Sequence, residues 1–403
     1  GTASANASIT VASGAYTDAA GNTGGAGTTP SISIDTLAPT ASVTTATLAN
    51  GSSATVQSSE TGTAYIVKST LTQPTTAAEL VTLETSNDTS VNHVAITTAN
   101  SDTALALTGL VDGSYNVYTV DAAGNLSAVS TNSVTVDSIG PSVSSVAITA
   151  ATGSSNSYLN AGDVVTATVT MNDTVVVTGS PTLTLIIGAT EVTATYNSAN
   201  STATALKFDY TIQSGETDAN GISIKADSLT AGTSIKDTTG NDASLTFTTV
   251  ADNASYMVDT TAPTPNLTAV TDDTTGGTTG ALTTGATSND SELVLSGSCE
   301  SGSTVNVYNG ATLLGAATVS GTGWTYNATV VDATTYQFNV KETDAAGNTS
   351  TATSNFTVIG DTTAPTVTIT DDQTATASDA DNTILYTFDF SEDITGFTTD
   401  DVT

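Results

Sequence analysis

The chain has 403 residues, and its 39 acidic side chains against 5 basic ones give a formal net charge of −34. This charge excludes the basic surface that nucleic-acid binding requires and makes an anionic membrane repulsive, so we expect no nucleic-acid partner and no direct membrane insertion. Only 11% of the residues are charged while 38% are hydrophobic, which favours a folded protein rich in β-sheet over a disordered acidic tail.

Two short sequence phrases recur in phase along the chain. The phrase Asp-x-x-x-Pro places its prolines at intervals of 102, 122 and 102 residues. The phrase Asp-x-x-Gly-Asn begins 16 to 22 residues before each aspartate of the first phrase. In chain order the phrases begin at Asp18, Asp35, Asp121, Asp137, Asp237, Asp259, Asp344 and Asp361. Repeats at a fixed spacing indicate tandem structural units, so we predict about one domain for each interval.

Between these phrases, apolar residues and threonines alternate with the period of a half-buried β-strand. The clearest examples are residues 165–171, 183–187 and 384–390, and no segment combines a helical period with helix caps, so we expect strands throughout. Strands joined by Gly, Asn and Asp turns, at about 100 residues per unit, are typical of immunoglobulin-like β-sandwiches. Residues 112–115 resemble the tyrosine corner of such sandwiches, although an ordinary turn before a core tyrosine fits equally well.

We predict three whole immunoglobulin-like domains, at residues 36–137, 138–259 and 260–361, of which the second is a longer subtype. The C-terminal part of one domain at 1–35 and the N-terminal part of another at 362–403 flank them, so we interpret the chain as an excerpt of a longer protein. The linkers are only a few residues long and contain proline, which favours an elongated, stiff rod over a flexible string.

The Asp-Thr-Thr-Ala-Pro-Thr linkers, the Asp-Ala-Ala-Gly-Asn loops and the Gly323-Trp324 pair resemble the tandem bacterial immunoglobulin-like repeats of large surface adhesins. The resemblance covers essentially the whole chain. It implies a calcium-dependent stalk, export by type I secretion, and a role in biofilm formation and attachment. These motifs are specific for the repeat class and do not identify what the parent protein binds.

A third acidic position recurs at the end of the strand that corresponds to strand B of an immunoglobulin sandwich. In that topology the BC and FG loops lie at the end of the domain that meets the preceding linker, a region that we call a joint. The linker aspartate, the BC acid and the Asp-x-x-Gly-Asn loop should therefore converge at each joint. The predicted metal ligands are Asp35, Glu60, Asp121 and Asn125 at the first joint, Asp137, Asp173, Asp237 and Asn241 at the second, Asp259, Glu300, Asp344 and Asn348 at the third, Asp361 and Glu392 at a fourth, and Asp18 with Asn22 in an incomplete one.

Converging carboxylates repel one another strongly unless a cation lies among them. An all-oxygen ligand set with no His or Cys nearby selects a hard cation, and the flexible coordination of Ca²⁺ suits it better than the octahedron of Mg²⁺. We therefore expect Ca²⁺ as the cofactor at each joint, with a dissociation constant of about 10⁻⁴–10⁻³ M. The alternative for any single loop is a type I turn in which the aspartate caps its own backbone.

The other acids are expected to shape turns or to be solvated. Asp218, in an Asp-Ala-Asn-Gly sequence, is interpreted as a lone acidic turn. The acids expected to be solvated are Asp272, Asp273, Asp371, Asp372, Asp379, Asp381, Asp400 and Asp401.

Catalysis has few candidate residues in this sequence. The single histidine, His93, is expected at the surface, and the single cysteine, Cys299, in the core of another domain, so the two cannot form a nucleophile–base pair. Trp324 and Tyr326 are predicted to lie in a core strand rather than on a sugar-binding platform. Active sites are usually singular whereas these acids repeat, so we expect no enzymatic activity. One cysteine also excludes an intramolecular disulfide, so we expect Ca²⁺ to stabilise the domains in place of disulfides.

The leading hypothesis is a calcium-rigidified extender of a bacterial adhesin, located outside the cell or on its surface, that projects a distal binding domain. Its expected partners are the neighbouring repeats of the same chain, with lateral self-association as a further option and an unknown distal ligand. The alternatives are a self-assembling surface-layer or filament subunit, and a carbohydrate-binding accessory module of a secreted enzyme.

Overall fold

The computed structural model describes residues 4–275, 279–373 and 383–403. Within these ranges the regular structure is almost entirely β-strand. The strands form three β-sandwiches, each around its own hydrophobic core, and short two-stranded sheets near both ends of the chain. The predicted fold class, tandem immunoglobulin-like β-sandwiches, is therefore confirmed, while the arrangement of the domains as a rod stays a prediction.

The first sandwich packs a three-stranded sheet against a five-stranded sheet. Its inward positions alternate along the strands, as in Ser53–Ser58, where Ala54, Val56 and Ser58 are buried. An early strand, Ala46–Ala49, runs parallel to the last strand of the sandwich. The strands are Ala41–Val43, Ala46–Ala49, Ser53–Ser58, Gly62–Lys68, Val91–Ile96, Thr103–Ala106, Gly113–Asp121 and Ser133–Asp137.

The first sandwich also contains the α-helix Ala77–Ser86, so the expectation of strands throughout was wrong here. The Thr76 hydroxyl accepts a hydrogen bond from the Glu79 backbone N–H at 3.3 Å, and the Glu79 carboxylate accepts one from the Thr75 backbone N–H at 2.7 Å. These reciprocal bonds fix the start of the helix much as a capping box does. Leu80 is its only buried side chain, so the helical apolar period is nearly absent from the sequence.

The segment 112–115 forms a tyrosine corner. The buried Tyr115 donates its hydroxyl hydrogen to the carbonyl oxygen of Val111, four residues upstream, at 2.5 Å. Burial, together with the negative charge of Asp112, raises the pKa of Tyr115 to about 12. In the matching strand of the third sandwich, the Tyr336 hydroxyl instead accepts the backbone N–H of Val331 at 3.1 Å.

The middle sandwich connects its strands differently from its neighbours. Its main sheet has six strands, and two smaller sheets complete the domain. Strand Thr190–Tyr196 pairs with both Thr182–Ile187 and Ala205–Thr211 and so joins two halves of the main sheet. The strands are Val143–Thr152, Tyr158–Leu159, Val164–Met171, Val176–Thr178, Thr182–Ile187, Thr190–Tyr196, Ala205–Thr211, Thr217–Asp218, Ser223–Ile224, Ser234–Lys236 and Met257–Asp259.

The third sandwich has two five-stranded sheets and repeats the strand order of the first. Trp324 is buried in its core and donates its indole N–H to the Asn266 carbonyl oxygen at 3.2 Å. Cys299 lies in the same core, and burial raises the pKa of its thiol. The strands are Asn266–Asp272, Gly280–Ala281, Ala286–Ser288, Glu292–Ser298, Thr304–Asn309, Thr312–Ala316, Thr318–Ser320, Gly323–Thr329, Thr335–Thr343 and Phe356–Gly360.

The two ends of the chain form partial sheets. At the N-terminal end, Ser4–Ala7 pairs with Ile32–Asp35, and Thr10–Val11 pairs with Gly27–Thr28. At the C-terminal end, Val367–Asp371 pairs with Tyr386–Phe390, followed by the 3₁₀ helix Thr399–Asp401. Each of the three large cores draws its residues from one of the three predicted domains, whose boundaries stay a prediction.

Asp272 is buried, which corrects the expectation that it is solvated. Its side chain is 1% exposed and accepts hydrogen bonds from the Ser288 hydroxyl at 2.6 Å and the Thr274 backbone N–H at 3.0 Å. These donors replace water around the carboxylate at the inward end of its strand. Asp379 and Asp381 lie outside the described residues.

Candidate metal centres at the domain joints

The Asp-x-x-Gly-Asn loop has the same structure in all four copies. In each copy the aspartate Oδ1 accepts the asparagine backbone N–H at 2.8–2.9 Å, and Oδ2 accepts its side-chain amide at 2.8–3.0 Å. The glycine has φ between +90° and +102°, a left-handed conformation that favours glycine. The aspartate thus caps its own loop, as the turn alternative expects, and its carboxylate keeps lone pairs for a further partner.

The asparagine of each complete joint also holds the linker. Its side-chain amide donates to the backbone carbonyl oxygen of the linker aspartate. The pairs are Asn125 with Asp35 at 3.3 Å, Asn241 with Asp137 at 3.1 Å and Asn348 with Asp259 at 2.8 Å. These asparagines therefore clamp loop to linker, and their role as metal ligands stays a prediction.

The first joint brings three predicted acids together. Oxygen atoms of Asp35, Glu60 and Asp121 all lie within 4.8 Å of one another. Asp121 is buried, and the other two acids are half-buried. Oxygens that bind one Ca²⁺ at 2.3–2.6 Å lie within about 5 Å of one another, so this spacing suits a shared cation. Within the part of the chain that the structure describes, this is the one group of three acidic, histidine or cysteine side chains that approach this closely.

The second joint is arranged differently. The exposed Asp173 carboxylate accepts the backbone N–H of the adjacent Thr174 at 2.6 Å, and the described structure does not bring it into a close group with Asp137 and Asp237. The preceding residue, Asn172, meets the linker instead, since its side-chain oxygen accepts the Ser142 backbone N–H at 2.7 Å.

Asp237 in the second joint is a buried carboxylate with many donors. Burial by itself raises its pKa, but hydrogen bonds from Thr239, Asn241 and Gly240 outweigh this effect and lower the pKa to about 2. The carboxylate is therefore held in its charged form by its own loop.

Four acids influence one another electrostatically at the third joint, and the sequence reasoning missed one of them, but among the described residues no three of them approach as closely as the acids of the first joint. Partial desolvation raises the pKa of Glu300, and the negative charges of Glu342, Asp344 and Asp259 raise it further. Glu342 is fully buried and was not among the predicted ligands. A signal was present in the sequence, because Glu342 continues the alternating inward series of Phe338 and Val340.

The incomplete joints are more open. Asp361 and Glu392 line one cavity of about 550 Å³ between the third sandwich and the C-terminal segment. Asp18 and Asn22 are exposed, and hydrogen bonds from Asn22 lower the pKa of Asp18.

His93 and Asp218 lie apart from the joints. His93 is exposed, and its ring Nδ1 contacts the Glu84 carboxylate. Asp218 forms the predicted turn, because its Oδ1 accepts the backbone N–H groups of Asn220 and Gly221. The described residues include no helix long and apolar enough to span a membrane.

Comparison with known proteins supports the architecture. Residues 280–360 match the family model of the bacterial Ig domain. No curated protein sequence matches the chain.

Solved structures with similarity to the chain share little sequence with it. The fibronectin(III)-like modules of Clostridium thermocellum CbhA are 15% identical, with 54% of this chain and 94% of theirs covered and a TM-score of 0.25. The Bacteroides ovatus protein SGBP-B, in complex with a mixed-linkage heptasaccharide, is 12% identical, with 85% and 72% covered and a TM-score of 0.15. A BSP domain of a biofilm associated protein is 13% identical, with 81% and 67% covered and a TM-score of 0.20. Similarity at this level carries no argument about function. Strand pairing and the family match together identify a chain of tandem immunoglobulin-like repeats in which residues 280–360 match the model of the bacterial Ig domain.

Proposed function

We propose that the chain is a non-enzymatic extender segment of a bacterial cell-surface or secreted adhesin, in which Ca²⁺ stiffens the joints between immunoglobulin-like domains. The bacterial Ig domain match supports an extracellular structural or binding role. The observation that carries the proposal is the cluster of Asp35, Glu60 and Asp121, whose oxygens lie within 4.8 Å of one another where a linker meets a domain.

Two of the linkers are held from both sides, which supports a mechanical role. The residue after the linker aspartate bonds to the preceding domain at Asp137, Asp259 and Asp361. The asparagine clamp bonds the linker to the following domain at Asp35, Asp137 and Asp259, so the second and third linkers are held from both sides. The contacts to the preceding domain are Ser138 N–H to the Asp112 carboxylate at 2.8 Å, Thr260 hydroxyl to the Glu216 carbonyl oxygen at 2.9 Å, and Thr362 N–H to the Asp332 carboxylate at 2.9 Å. Repulsion among the joint acids opposes this closed arrangement, and a bound divalent cation would remove that repulsion.

The positions of the reactive singletons support a non-enzymatic role. His93 and Cys299 belong to different sandwiches, and Cys299 is buried. Trp324 is buried in a core and offers no face to a sugar. The acids recur at the predicted joints between domains, where attraction to one cation would couple neighbouring domains.

The test compares the full chain in about 10 mM Ca²⁺, ten or more times the expected dissociation constant, with the chain in excess chelator. Ca²⁺ should add roughly 1.4 kcal/mol of stability per filled site, which raises a domain's melting temperature by about 5–10 °C. Small-angle scattering should show a longer maximum dimension and less flexibility with Ca²⁺.

The variant Asp121→Asn should weaken the response of the first joint, whereas Asp88→Asn, which removes an exposed acid away from the joints, should leave it unchanged. The proposal fails if chelation changes neither the scattering curve nor any melting transition.

A further inference from the structure

Glu342 has a carboxylate oxygen that is buried without a partner. The side chain is 0% exposed, and its Oε1 accepts the Glu300 backbone N–H at 2.6 Å. Its Oε2 is buried and accepts no hydrogen bond from the described residues. A buried carboxylate oxygen without a partner is strongly unfavourable, so a bound cation at this oxygen would remove a large energetic cost.

Glu342 lies beside the BC and FG loops of the third joint. It lies two residues before Asp344, and its strand partner is Val305 on Thr304–Asn309. The bond to the Glu300 backbone places its carboxylate against the BC loop, on the core side of the joint. Partial burial raises the pKa of Glu300, and the negative charges of Glu342, Asp344 and Asp259 raise it further.

The first joint offers a matched comparison at this position. Thr119 lies two residues before Asp121, and its backbone N–H donates to the Ser127 hydroxyl at 2.9 Å. The Glu342 backbone N–H makes the equivalent bond to the Ser350 hydroxyl at 2.9 Å. The Thr119 hydroxyl is likewise buried without a partner among the described residues. The two joints therefore share one frame, in which the buried group is a neutral hydroxyl in one and a carboxylate in the other.

Contacts from the middle sandwich hold the loop of the third joint in place. Asn156 and Asn160 donate their side-chain amides to the backbone carbonyl oxygens of Ala345 and Ala346 at 3.0 and 3.1 Å. These carbonyls belong to the Asp-x-x-Gly-Asn loop, so the loop is fixed by both domains before any cation binds. Preorganisation of this kind lowers the cost of binding.

We propose that Glu342 is a further ligand of a divalent cation at the third joint, which therefore binds Ca²⁺ more tightly than the first joint. This inference rests on the proposed function, since it requires that the joints bind Ca²⁺. Asp259, Glu342 and Asp344 all act electrostatically on Glu300, so the third joint carries four acidic groups against three at the first, although among the described residues only the three of the first joint have oxygens within 4.8 Å of one another. Ligand charge and rigidity set the affinity of calcium sites, so we expect a dissociation constant about tenfold lower at the third joint.

Two residues make the joints separately observable in the unlabelled full chain. Trp324 is the single tryptophan and reports on the third sandwich, while His93 is the single histidine and reports on the first. Thermal unfolding is followed at increasing Ca²⁺ by tryptophan fluorescence and by the histidine ring signals in NMR. Half of the full rise in melting temperature should need about tenfold less Ca²⁺ for the Trp324 transition than for the His93 transition. Equal or reversed midpoints would overturn the inference.

The variant Glu342→Gln should raise the Ca²⁺ midpoint of the Trp324 transition about tenfold and leave the His93 midpoint unchanged. Thr119→Glu should lower the His93 midpoint, and Glu191→Gln, at an exposed glutamate of the middle sandwich, is the control. If Glu342→Gln leaves Trp324 solvent-exposed at low temperature, the wild-type midpoints and Glu342→Thr decide instead.

Calorimetric titration with Ca²⁺ distinguishes the absence of any calcium site from a calcium site that does not use Glu342. No heat of binding would overturn both the proposed function and this inference. Binding that Glu342→Gln leaves unaltered would overturn the inference alone.

Discussion

The first and third joints carry the same loop, the same asparagine clamp and the same linker aspartate, yet they differ beneath the loop. The first has a buried hydroxyl at Thr119, and the third has a buried carboxylate at Glu342. The repeated motif therefore fixes the geometry of a joint, whereas the side chain two positions before it sets the charge. The second joint has the buried Ile235 at this position and Ala243 in place of the serine, so the three joints carry three chemistries.

The largest expected effect is the change in stability caused by Glu342→Gln, which should have opposite signs with and without Ca²⁺. In chelator, Glu342→Gln removes a buried charge that repels three neighbouring acids, so it should raise the stability of the third sandwich by about 1–3 kcal/mol. With Ca²⁺ in excess the same change removes a ligand, and the gain should vanish or reverse. Tryptophan fluorescence melts in both conditions measure this. Destabilisation in chelator would contradict repulsion between Glu342 and the neighbouring acids.

Two tyrosine hydroxyls extend the comparison of the first and third sandwiches, because one donates and the other accepts a backbone hydrogen bond. Tyr115→Phe removes a donor to Val111 and should cost the first sandwich about 1–2 kcal/mol at pH 8. Tyr336→Phe removes an acceptor instead and should cost the third sandwich about 1 kcal/mol. The two losses are measured by the His93 signals and by Trp324 fluorescence.

The hydroxyl of Tyr115 also predicts a pH dependence. Its pKa rises from 10.0 to about 12 on folding, so its contribution is complete below pH 10 and is lost as the pH rises towards 12. The stability difference between wild type and Tyr115→Phe should therefore shrink above pH 10. A constant difference from pH 8 to pH 11.5, measured by calorimetry, would contradict the raised pKa of the buried Tyr115 hydroxyl.

The contact between the second and third sandwiches gives a smaller effect. Asn160→Ala removes the donor to Ala346 and should lower the melting temperature of the third sandwich by an amount equivalent to about 1 kcal/mol. Asn160 is preferable to Asn156, because Asn156 has φ of +50° and alanine there would add backbone strain. Asn87→Ala, at the end of the helix in the first sandwich, is the control and should leave the Trp324 transition unchanged.

The smallest effect is expected at Thr119. Thr119→Val replaces a buried hydroxyl without a partner by a methyl group and should stabilise the first sandwich by about 0.5–1 kcal/mol in chelator. A loss of Ca²⁺ affinity at the first joint in this variant would show that the hydroxyl is a ligand. Thermal unfolding followed by the His93 ring signals in NMR, in chelator and at increasing Ca²⁺, measures both the stability and the Ca²⁺ affinity.

The repeats predicted the joints because their residues act through local backbone geometry. Asp121 and Asn125 close their loop within five residues, and the same pattern recurs wherever the phrase recurs. Topology then brought Asp35 and Glu60 beside them, as an immunoglobulin strand order requires. At the second joint the same reasoning chose Asp173, although its neighbour Asn172 is the residue that bonds to the linker.

Two features that the sequence reasoning missed, the burial of Asp272 and the place of Glu342, share one physical cause, because burial depends on contacts distant in sequence. The adjacent pair of acids at 272 and 273 looked solvated, but Ser288 lies beside Asp272 and supplies a donor. The helix at 77–86 buries little, so its caps were the only evidence for it. The alternation of the strand could have predicted that Glu342 is buried, but its proximity to the other acids of the joint depends on residues distant in sequence.

The parallel pairing of an early strand with the last strand of each sandwich has a consequence under tension. A pull on the two ends of such a domain loads these hydrogen bonds together in shear, rather than opening them one after another. Four residue pairs form this patch in the first sandwich, two in the middle one and three in the third. The middle domain should therefore yield at the lowest force, and single-molecule stretching of the chain would reveal this order.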